Sequence, residues 1–226
     1  MRTWRVGYCR ANPGWEYREW NEAAISSLLD RALNVCPRMQ RDVAFRAVHS
    51  TRSGPWRRAL AQLRACYYGE PTPHGRADIA RLLILYLYGG VYIDADSVWL
   101  KGSLDRFLAG AEREGVFAAR EPGKDWLANG VVGSSLRSPV IGSLIRHLAS
   151  IDYGAARRSA GPYAVTGPLL LTREAQRIRI VPTKCFYPVP WVGIQDNEAH
   201  KKLLLPDGAV MFQYGMTTNR IGAPEN

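Results

Sequence analysis

Apolar residues recur at helical spacing in several stretches of the sequence. After Asn21, a residue suited to an N-cap, the apolar positions predict a helix that runs to about Leu33. Further helices are predicted over 57–68, 76–88, 103–114 and 139–150. The stretch 34–56 shows no periodicity that favours either a helix or a strand.

Other stretches are short and apolar or alternate between apolar and polar residues, as strands do. Residues 3–9 predict a short strand, and the alternating aromatic and polar residues from Trp15 to Trp20 predict a strand edge. More strand signals lie at 91–96, 115–119, 129–133 (strand or loop), 178–182 and 209–214. Because helices and strands alternate, the sequence predicts a mixed α/β fold.

The strongest local signal is the passage from the helix at 76–88 to the strand at 91–96. Gly89 and Gly90 follow the last apolar turn of the helix, where a glycine commonly ends a helix. We therefore expect a sharp helix-to-strand turn at this point.

Length and composition indicate a globular protein. The chain has 226 residues, of which 46% are hydrophobic and 22% are charged, so one compact domain is expected. No apolar stretch is long enough to cross a bilayer, and Arg2 and Arg5 are not followed by the apolar run of a signal peptide. A cytoplasmic protein is therefore expected.

The formal net charge is +10, which favours polyanionic partners such as nucleotide diphosphates, nucleic acid or acidic membranes. The alternative is a basic protein without such a partner, since the basic residues are scattered. The four cysteines, Cys9, Cys36, Cys66 and Cys185, lack the spacing of a zinc site. We interpret them as core or surface residues.

Asp94 and Asp96 are the first candidates for chemistry. Side chains two apart on a strand point to the same side, and two neighbouring carboxylates stay ionised together only if a cation or solvent compensates their charge. A divalent metal that prefers hard oxygen ligands supplies that compensation and binds a diphosphate. An isolated Asp-x-Asp, however, usually marks a solvated turn.

Asp78 and Arg81 lie three residues apart on the preceding helix and share a face. Arginine makes forked hydrogen bonds to carboxylates or phosphates, and aspartate accepts hydrogen bonds from sugar hydroxyls. The Gly89–Gly90 turn can bring this pair close to Asp94 and Asp96. Alone, the pair is more often a surface ion pair of little energetic value.

The complete string from Arg76 to Asp96 resembles the retaining glycosyltransferases whose sugar-binding region contains the DXD motif. The family pattern is Asp, two residues, Arg, then Leu-Tyr, Gly-Gly, an aromatic residue and Asp-x-Asp, and the string contains these elements in order. The family includes fungal initiating mannosyltransferases and capsule-synthesis enzymes, and its core is similar to that of clostridial glucosylating toxins. Weaker similarity is found at residues 12–20, 129–133, 166–168 and 186–188.

This resemblance implies a GT-A-type nucleotide-sugar-binding fold and sugar transfer with retention, dependent on Mn²⁺ or Mg²⁺. It implies that Asp96 ligates the metal and that Asp94 contacts the ribose, the sugar or the metal's water shell. Arg81 would act with both aspartates in catalysis. The implied donor-binding residues are Asp78, Arg81, Gly89, Gly90, Tyr92, Asp94 and Asn129. Trp99 and Trp191 are further candidates for lining a sugar site, although tryptophans are more often core residues.

Two departures from the family pattern bear on these expectations. The family's usual first strand has no counterpart, so the chain is interpreted as one catalytic domain, 1–226, without that strand, and weak discrimination between nucleotide bases is expected. The family's C-terminal His and Ser-Trp are also missing from the segment 211–220. Gln213 or Asn219 is the candidate substitute for a metal ligand.

Three functions remain open from the sequence. The first is a glycosyltransferase whose acceptor is a saccharide, a lipid-linked glycan or a protein. The second is a glycosyltransferase that acts on modified DNA, with which the positive charge is compatible. The third is a degenerate module that binds nucleotide sugars without turnover.

Overall fold

The computed structural model describes residues 2–33, 54–108, 115–189 and 205–213. Within these ranges the helices are α1 (Arg2–Ala11), α2 (Glu22–Leu33), α3 (Gly54–Gly69), α4 (Pro73–Tyr88), α5 (Asp105–Leu108), α6 (Pro139–Ser150), α7 (Tyr153–Val165) and α8 (Pro168–Thr172). The strands are β1 (Gly90–Ile93), β2 (Ser97–Trp99), β3 (Val116–Arg120), β4 (Leu127–Ser134), β5 (Arg179–Val181) and β6 (Met211–Gln213). Short 3₁₀ turns lie at Ala175–Arg177 and Thr183–Cys185.

A four-stranded sheet of order β1-β4-β3-β5 forms the centre of the fold. The pairs β1–β4 and β3–β4 are antiparallel, whereas β3 and β5 run parallel, so the sheet is mixed. Strands β2 and β6 form a separate antiparallel pair. The predicted α/β fold with a central mixed sheet flanked by helices is confirmed.

The central sheet is covered on both faces, as β3 shows. Val116 and Ala118 pack into a core formed with helices α2, α3, α4, α6, α7 and α8. The alternate residues Phe117 and Ala119 pack into a second core, which α1, β2, β6 and the segment around Phe186 complete. A strand that is buried on both faces carries a continuous apolar run, as β3 does.

Gly133 in β4 allows the aromatic part of the second core to form. A Cβ atom at this position would lie 2.0 Å from Cε1 of Phe117, far inside van der Waals contact. Phe117 in turn packs on Phe107 and Phe186. The absence of a side chain at Gly133 therefore gives this ring its place on the sheet.

Helix α4 runs through the molecule and is buried on nearly all sides. Its N-cap is Thr72, whose side-chain oxygen accepts a hydrogen bond from the Gly75 amide, and Pro73 occupies the first turn. Gly89 ends it with φ 65°, and a Cβ there would lie 2.7 Å from the Leu136 amide nitrogen. Both the backbone angle and the close approach require glycine, so the predicted turn into β1 is confirmed.

The prediction of a strand over residues 3–9 is wrong, because these residues belong to α1. Tyr8 and Ala11 lie three residues apart, share one face of the helix and pack on the second core. Tyr8 also donates a hydrogen bond from its hydroxyl to the carbonyl oxygen of Ser97. Packing against β2 therefore outweighs the strand propensity of this short segment.

The predicted strand edge from Trp15 to Trp20 is also wrong, since the segment pairs with no strand among the described residues. Its aromatic residues instead anchor an irregular connection. Trp15 packs on the second core and donates its indole N–H to Asp105, and Trp20 packs against Tyr88. The aromatic residues at the two ends of the segment thus pack on different cores, Trp15 on the second core and Trp20 on the core that contains α4.

Most other predicted elements are present with shifted ends. The helix at 139–150 is confirmed, and that at 57–68 begins earlier, at Gly54. The predicted strand 91–96 ends at Ile93, because residues 94–96 turn towards β2. In the predicted helix 103–114 only Asp105–Leu108 is helical among the described residues, since 109–114 lie outside them, as do 34–53 and 214.

Two other sequence expectations concern cysteines and membranes. Cys66 and Cys185 are buried and Cys9 is exposed, as expected for core and surface residues, and Cys36 lies outside the described residues. Within the described ranges no helix combines the length and apolar character needed to cross a membrane.

A buried carboxylate, Glu70, fixes the start of α4 to α7. Glu70 is 1% exposed. It pairs with both Nε and Nη2 of Arg157 and accepts hydrogen bonds from the Tyr153 hydroxyl and from the amide and hydroxyl of Thr72. Burial alone would raise the pKa of Glu70, but the hydrogen bonds from Arg157, Thr72 and Tyr153 outweigh it and lower the pKa to about 2.

We predict that Glu70→Gln destabilises the protein by about 1–3 kcal/mol at pH 7, because the buried group at position 70 loses its charge-assisted hydrogen bonds from the partly buried Arg157. The folded-state pKa lies below the ordinary value of 4.5, so the ionic stabilisation is complete above that pH and is lost as the pH falls towards 2. Urea unfolding at pH 7, 4.5 and 3 measures the difference between variant and wild type. Glu16→Gln, which breaks an exposed pair with Arg18, is the control and should leave stability nearly unchanged, because solvent screens an exposed pair. An equal loss for Glu70→Gln at pH 7 and pH 3 contradicts the prediction.

Candidate active site

Arg81 lies at the centre of a charged network between α4 and the end of β1. Its Nη1 donates a hydrogen bond of 2.8 Å to Oδ1 of Asp78, and its Nη2 donates one of 2.9 Å to Oδ1 of Asp94. The guanidinium carbon lies 4.4 Å from the centre of the Tyr92 ring. Arg81 is thus held on two edges by carboxylates and on one face by an aromatic ring, and its pKa is raised further above its ordinary value although burial opposes the charge.

The Asp78 carboxylate accepts hydrogen bonds from three side chains, which belong to three different parts of the fold. Besides Arg81, the Nδ2 group of Asn129 in β4 donates a hydrogen bond of 2.8 Å to Oδ1. The Thr166 hydroxyl, just after α7, donates one of 3.3 Å to Oδ2. Burial raises the pKa of Asp78, while Arg81, Asn129 and Thr166 counteract that rise. The carboxylate is therefore largely desolvated, and fixed donors replace the water that it has lost.

The second half of the site is the turn formed by residues 94–96. The Ser97 amide donates to the Asp94 carbonyl, and the Asp94 amide donates to the carbonyl of Gly130 in β4. The predicted convergence of Asp94 and Asp96 is therefore produced by a turn, although the sequence analysis attributed it to alternation along a strand.

Gln213 connects the two carboxylates of this turn. It is the residue of β6 that pairs with Ser97 in β2, and its Nε2 lies 3.0 Å from Oδ2 of Asp94 and 2.9 Å from Oδ1 of Asp96. One amide group thus bridges Asp94 and Asp96, in the position where a cation would compensate both charges. The sequence named Gln213 as a candidate ligand, and the structure brings it to the predicted pair.

The electrostatics of Asp94 reflect its partial burial and the charges around it. Burial raises the pKa of Asp94 to about 6, Arg81 opposes the rise, and the negative charges of Asp96 and Asp78 add to it. Positive charge placed beside Asp94 would therefore favour its ionised form.

Gly130 makes the close meeting of these groups possible. A Cβ atom at this position would lie 2.6 Å from Oε1 of Gln213 and 2.9 Å from Oδ2 of Asp94. Gly167 has a similar role on the other side, where a Cβ would lie 3.1 Å from Oδ2 of Asp78. Both positions keep the space beside the carboxylates open.

Access to the network increases from Arg81 towards the turn. The side chain of Arg81 is 5% exposed, that of Asp78 11% and that of Asp94 26%. A cleft lined by Asp78, Arg81, Asn129 and Thr166 on its polar side continues between the leucines of α4 and α8. The exposed end of the site is therefore the end that carries Asp94.

The structure places the sequence-predicted residues in different roles. One hydrogen-bonded network contains Asp78, Arg81, Asp94, Asp96, Asn129 and Gln213. The Tyr92 ring packs on Arg81. Gly89 and Gly90 form the turn between α4 and β1. Trp99 is 8% exposed and packs on Tyr8 in the second core, as the more common role of a tryptophan predicts. Trp191 and Asn219 lie outside the described residues.

Two tyrosines that support the site were not assigned a role from the sequence. The buried Tyr187 hydroxyl accepts a hydrogen bond of 2.9 Å from the Val131 amide in β4, and Tyr8 binds the Ser97 carbonyl beside the turn. Neither has a local sequence signal of its own. The resemblance at residues 186–188 marked the segment of Tyr187 but not its contact with β4.

No group of three or more His, Cys, Asp or Glu residues able to hold a metal occurs in the described part of the chain. A metal at this site would therefore rest on Asp94, Asp96 and the amide of Gln213, with substrate oxygens or water as its other ligands.

Residues 7–113 match the family described as the glycosyltransferase sugar-binding region containing the DXD motif. Over these residues the chain is similar to a glycosyltransferase sugar-binding region. The matched segment includes Asp78, Arg81, Asp94 and Asp96, so the resemblance seen in the central string is confirmed. The matched region is one that occurs in glycosyltransferases, the enzyme class predicted from the sequence.

A search of the curated proteins found no match. Among solved structures, the chain is similar to a protein described as PaToxG glycosyltransferase, with 17% sequence identity and a TM-score of 0.48. The alignment covers 77% of this chain and 61% of that protein.

We predict that Gly130→Ala destabilises the protein by about 1–2 kcal/mol, because the new methyl group pushes the Gln213 amide away from Asp94 and Asp96. Urea unfolding measures the loss, and Gly14→Ala, where a Cβ meets nothing within 4 Å, is the control. In a Gln213→Ala background the loss should fall to half or less, because the residues act through one contact. Additive losses for the two substitutions would show that Gly130 does not act through Gln213.

Proposed function

We propose that this protein transfers a sugar from a nucleotide-diphosphate sugar to an acceptor, with a divalent metal and with retention at the anomeric carbon. One observation carries the proposal. A continuous hydrogen-bonded chain runs from Asn129 and Asp78 through Arg81 to Asp94, and from Asp94 through Gln213 to Asp96. This chain connects side chains suited to sugar hydroxyls with side chains suited to a metal ion and the diphosphate that it binds.

Asp78, Arg81 and Asn129 form the sugar-binding part of the proposed site. Oδ2 of Asp78 accepts a hydrogen bond from a sugar hydroxyl, since Oδ1 already accepts from Arg81 and Asn129, and the remaining N–H groups of Asn129 and Arg81 donate to sugar oxygens. Because each of these groups is already fixed by its neighbours, little side-chain entropy remains to be lost when the donor binds. Such preorganisation is what a site for positioning a reacting sugar requires.

The residues of the turn suit Mn²⁺ or Mg²⁺. Asp94 and Asp96 present carboxylate oxygens, and Gln213 presents an amide with an oxygen and an NH₂ group at nearly the same position. In the described arrangement the NH₂ group faces the carboxylates. Rotation of the amide by half a turn would present its oxygen, so these residues fit a hard cation that also binds substrate phosphates. The metal, when bound, would neutralise the diphosphate leaving group.

Each residue of the proposed site would have a distinct role in sugar transfer. Asp96 would be the direct metal ligand, and Asp94 would hold Arg81 on one oxygen and contribute the other to the metal, its water shell or the ribose. Arg81 would stabilise negative charge as the bond between sugar and diphosphate breaks. Retention is the outcome that the family resemblance implies.

The acceptor is proposed to be a saccharide, a lipid-linked glycan or a protein. The scattered positive charge fits an anionic nucleotide donor. No contact among the described residues favours modified DNA. A binding module without turnover would differ in one measurable respect, namely nucleotide binding without hydrolysis or transfer.

We predict that Asp96→Ala abolishes metal-dependent hydrolysis of nucleotide sugars, and that Asp94→Ala is nearly as damaging because it also removes a partner of Arg81. Each variant should lower the hydrolysis rate at least a hundredfold. The assay is release of nucleotide diphosphate from a panel of nucleotide sugars with Mn²⁺, together with Mn²⁺ binding followed by electron paramagnetic resonance. Asp207→Ala, at an exposed turn, is the control and should behave as wild type. Full activity of Asp96→Ala would refute the metal assignment.

We predict that Arg81→Lys lowers donor turnover at least tenfold, because an ammonium group cannot reproduce a planar fork that contacts both Asp78 and Asp94. The exposed arginine Arg58 provides a matched control, since Arg58→Lys should leave turnover unchanged. Steady-state hydrolysis kinetics and calorimetric titration with uridine and guanosine diphosphates measure the effect. Unchanged turnover and affinity in Arg81→Lys would limit Arg81 to a structural role.

A further inference from the structure

A second polar and aromatic cluster lies beside the proposed donor site and takes no part in it. The turn between β3 and β4 carries Glu121 and Trp126, and the C-terminal part of α7 carries Tyr163. The Trp126 indole N–H and the Tyr163 hydroxyl both donate hydrogen bonds to Oε2 of Glu121. The two rings lie 6.2 Å apart and nearly perpendicular, at 83°.

This cluster is open to solvent although its geometry is fixed. Tyr163 is 41% exposed, and Trp126 and Glu121 are partly exposed. The Lys124 ammonium group lies 5.3 Å from the centre of the Trp126 indole, and Lys124 itself is exposed. Oε1 of Glu121 has no hydrogen-bond partner among the residues that the structure describes. Exposed aromatic rings that a shared carboxylate holds in place present a preorganised surface to a ligand.

The cluster adjoins the donor-binding residues at two points. A Cβ atom at Gly167 would lie 3.0 Å from the Tyr163 carbonyl oxygen and 3.1 Å from Oδ2 of Asp78, so Tyr163 and Asp78 border the same small space. On the other side, Trp126 directly precedes β4, the strand that carries Asn129. The cluster of Glu121, Trp126 and Tyr163 thus borders the proposed donor site.

We propose that Glu121, Trp126 and Tyr163 form the acceptor subsite, and that the acceptor is a neutral saccharide. The inference rests on the proposed function, since it concerns the second substrate of the same reaction. The electron-rich ring faces attract the C–H groups of a pyranose, and Oε1 of Glu121 accepts a hydrogen bond from one of its hydroxyls. The Glu121 carboxylate and the Lys124 ammonium group carry opposite charges, so the cluster has no excess charge that would select an ionic ligand, which fits a neutral saccharide.

The experiment observes the subsite directly. The chain contains seven tryptophans, so ¹⁵N-labelled protein gives seven indole N–H signals, and Trp126→Phe identifies the signal of Trp126. The probes are the methyl glycosides of glucose, mannose, galactose and N-acetylglucosamine, titrated to tens of millimolar. At least one of them should shift the Trp126 signal in a saturable manner, and Tyr163→Ala should weaken its binding at least tenfold. Tyr68→Ala removes a comparably exposed tyrosine, 50% exposed on α3, and should leave binding unchanged.

Several outcomes would overturn the assignment. The subsite is refuted if no glycoside shifts the Trp126 signal, or if Tyr163→Ala binds the glycoside as wild type does. It is also refuted if Asp78→Asn, shown by circular dichroism to be folded, abolishes glycoside binding, because the glycoside would then occupy the donor site. Nucleotide binding and donor hydrolysis are measured on the same preparation. Their absence with intact glycoside binding would count against the proposed transfer and not against the subsite.

Discussion

The guanidinium group of Arg81 is the interaction on which the candidate site depends. It is nearly inaccessible to water, yet it carries a full charge that two carboxylates and one aromatic face compensate. Removal of either carboxylate would leave a buried charge without its partner, which is strongly destabilising in a protein interior. Asp78 and Asp94 are therefore fixed relative to each other through Arg81, although they belong to different elements.

This arrangement requires that α4 and β1 meet at a defined angle. The positive φ of Gly89 and the close approach of the Leu136 backbone set that angle. The pairing of β1 with β4 then places Gly130 next to Asp94, and the absence of a side chain at Gly130 leaves space for Gln213. The backbone at Gly89 and Gly130 thus determines where the side chains of Asp78, Arg81, Asp94 and Gln213 can lie.

Buried charge is used twice in this fold, with different consequences. Glu70 is saturated by Arg157, Tyr153 and Thr72 and is almost completely withdrawn from solvent, which suits a structural connection between α4 and α7. Asp94 is more exposed, and one of its oxygens meets an amide that can rotate. A network with an adjustable, accessible end suits ligand binding, whereas a saturated network suits stability.

The sequence by itself determined the features that depend on neighbours a few residues apart. The periodicity of residues 76–88 and the two glycines after them predicted α4 and its sharp end, and the spacing of Asp78 and Arg81 placed them on one face. The match of these residues to a family pattern also indicated the chemistry of the aspartates. These signals are reliable because a helix and its cap are set by short-range sterics and hydrogen bonds.

Only the tertiary structure decided the contacts made over long separations in the chain. Residues 3–9 became a helix because Tyr8 docks on Ser97 and Trp99, and the pairing of β6 with β2 brings Gln213 to Asp94 and Asp96. Glu121 and Tyr163 meet for the same reason, through the packing of α7 beside the β3–β4 turn. No periodicity within a segment encodes such encounters, because strand pairing and helix docking are selected by the burial of the whole core.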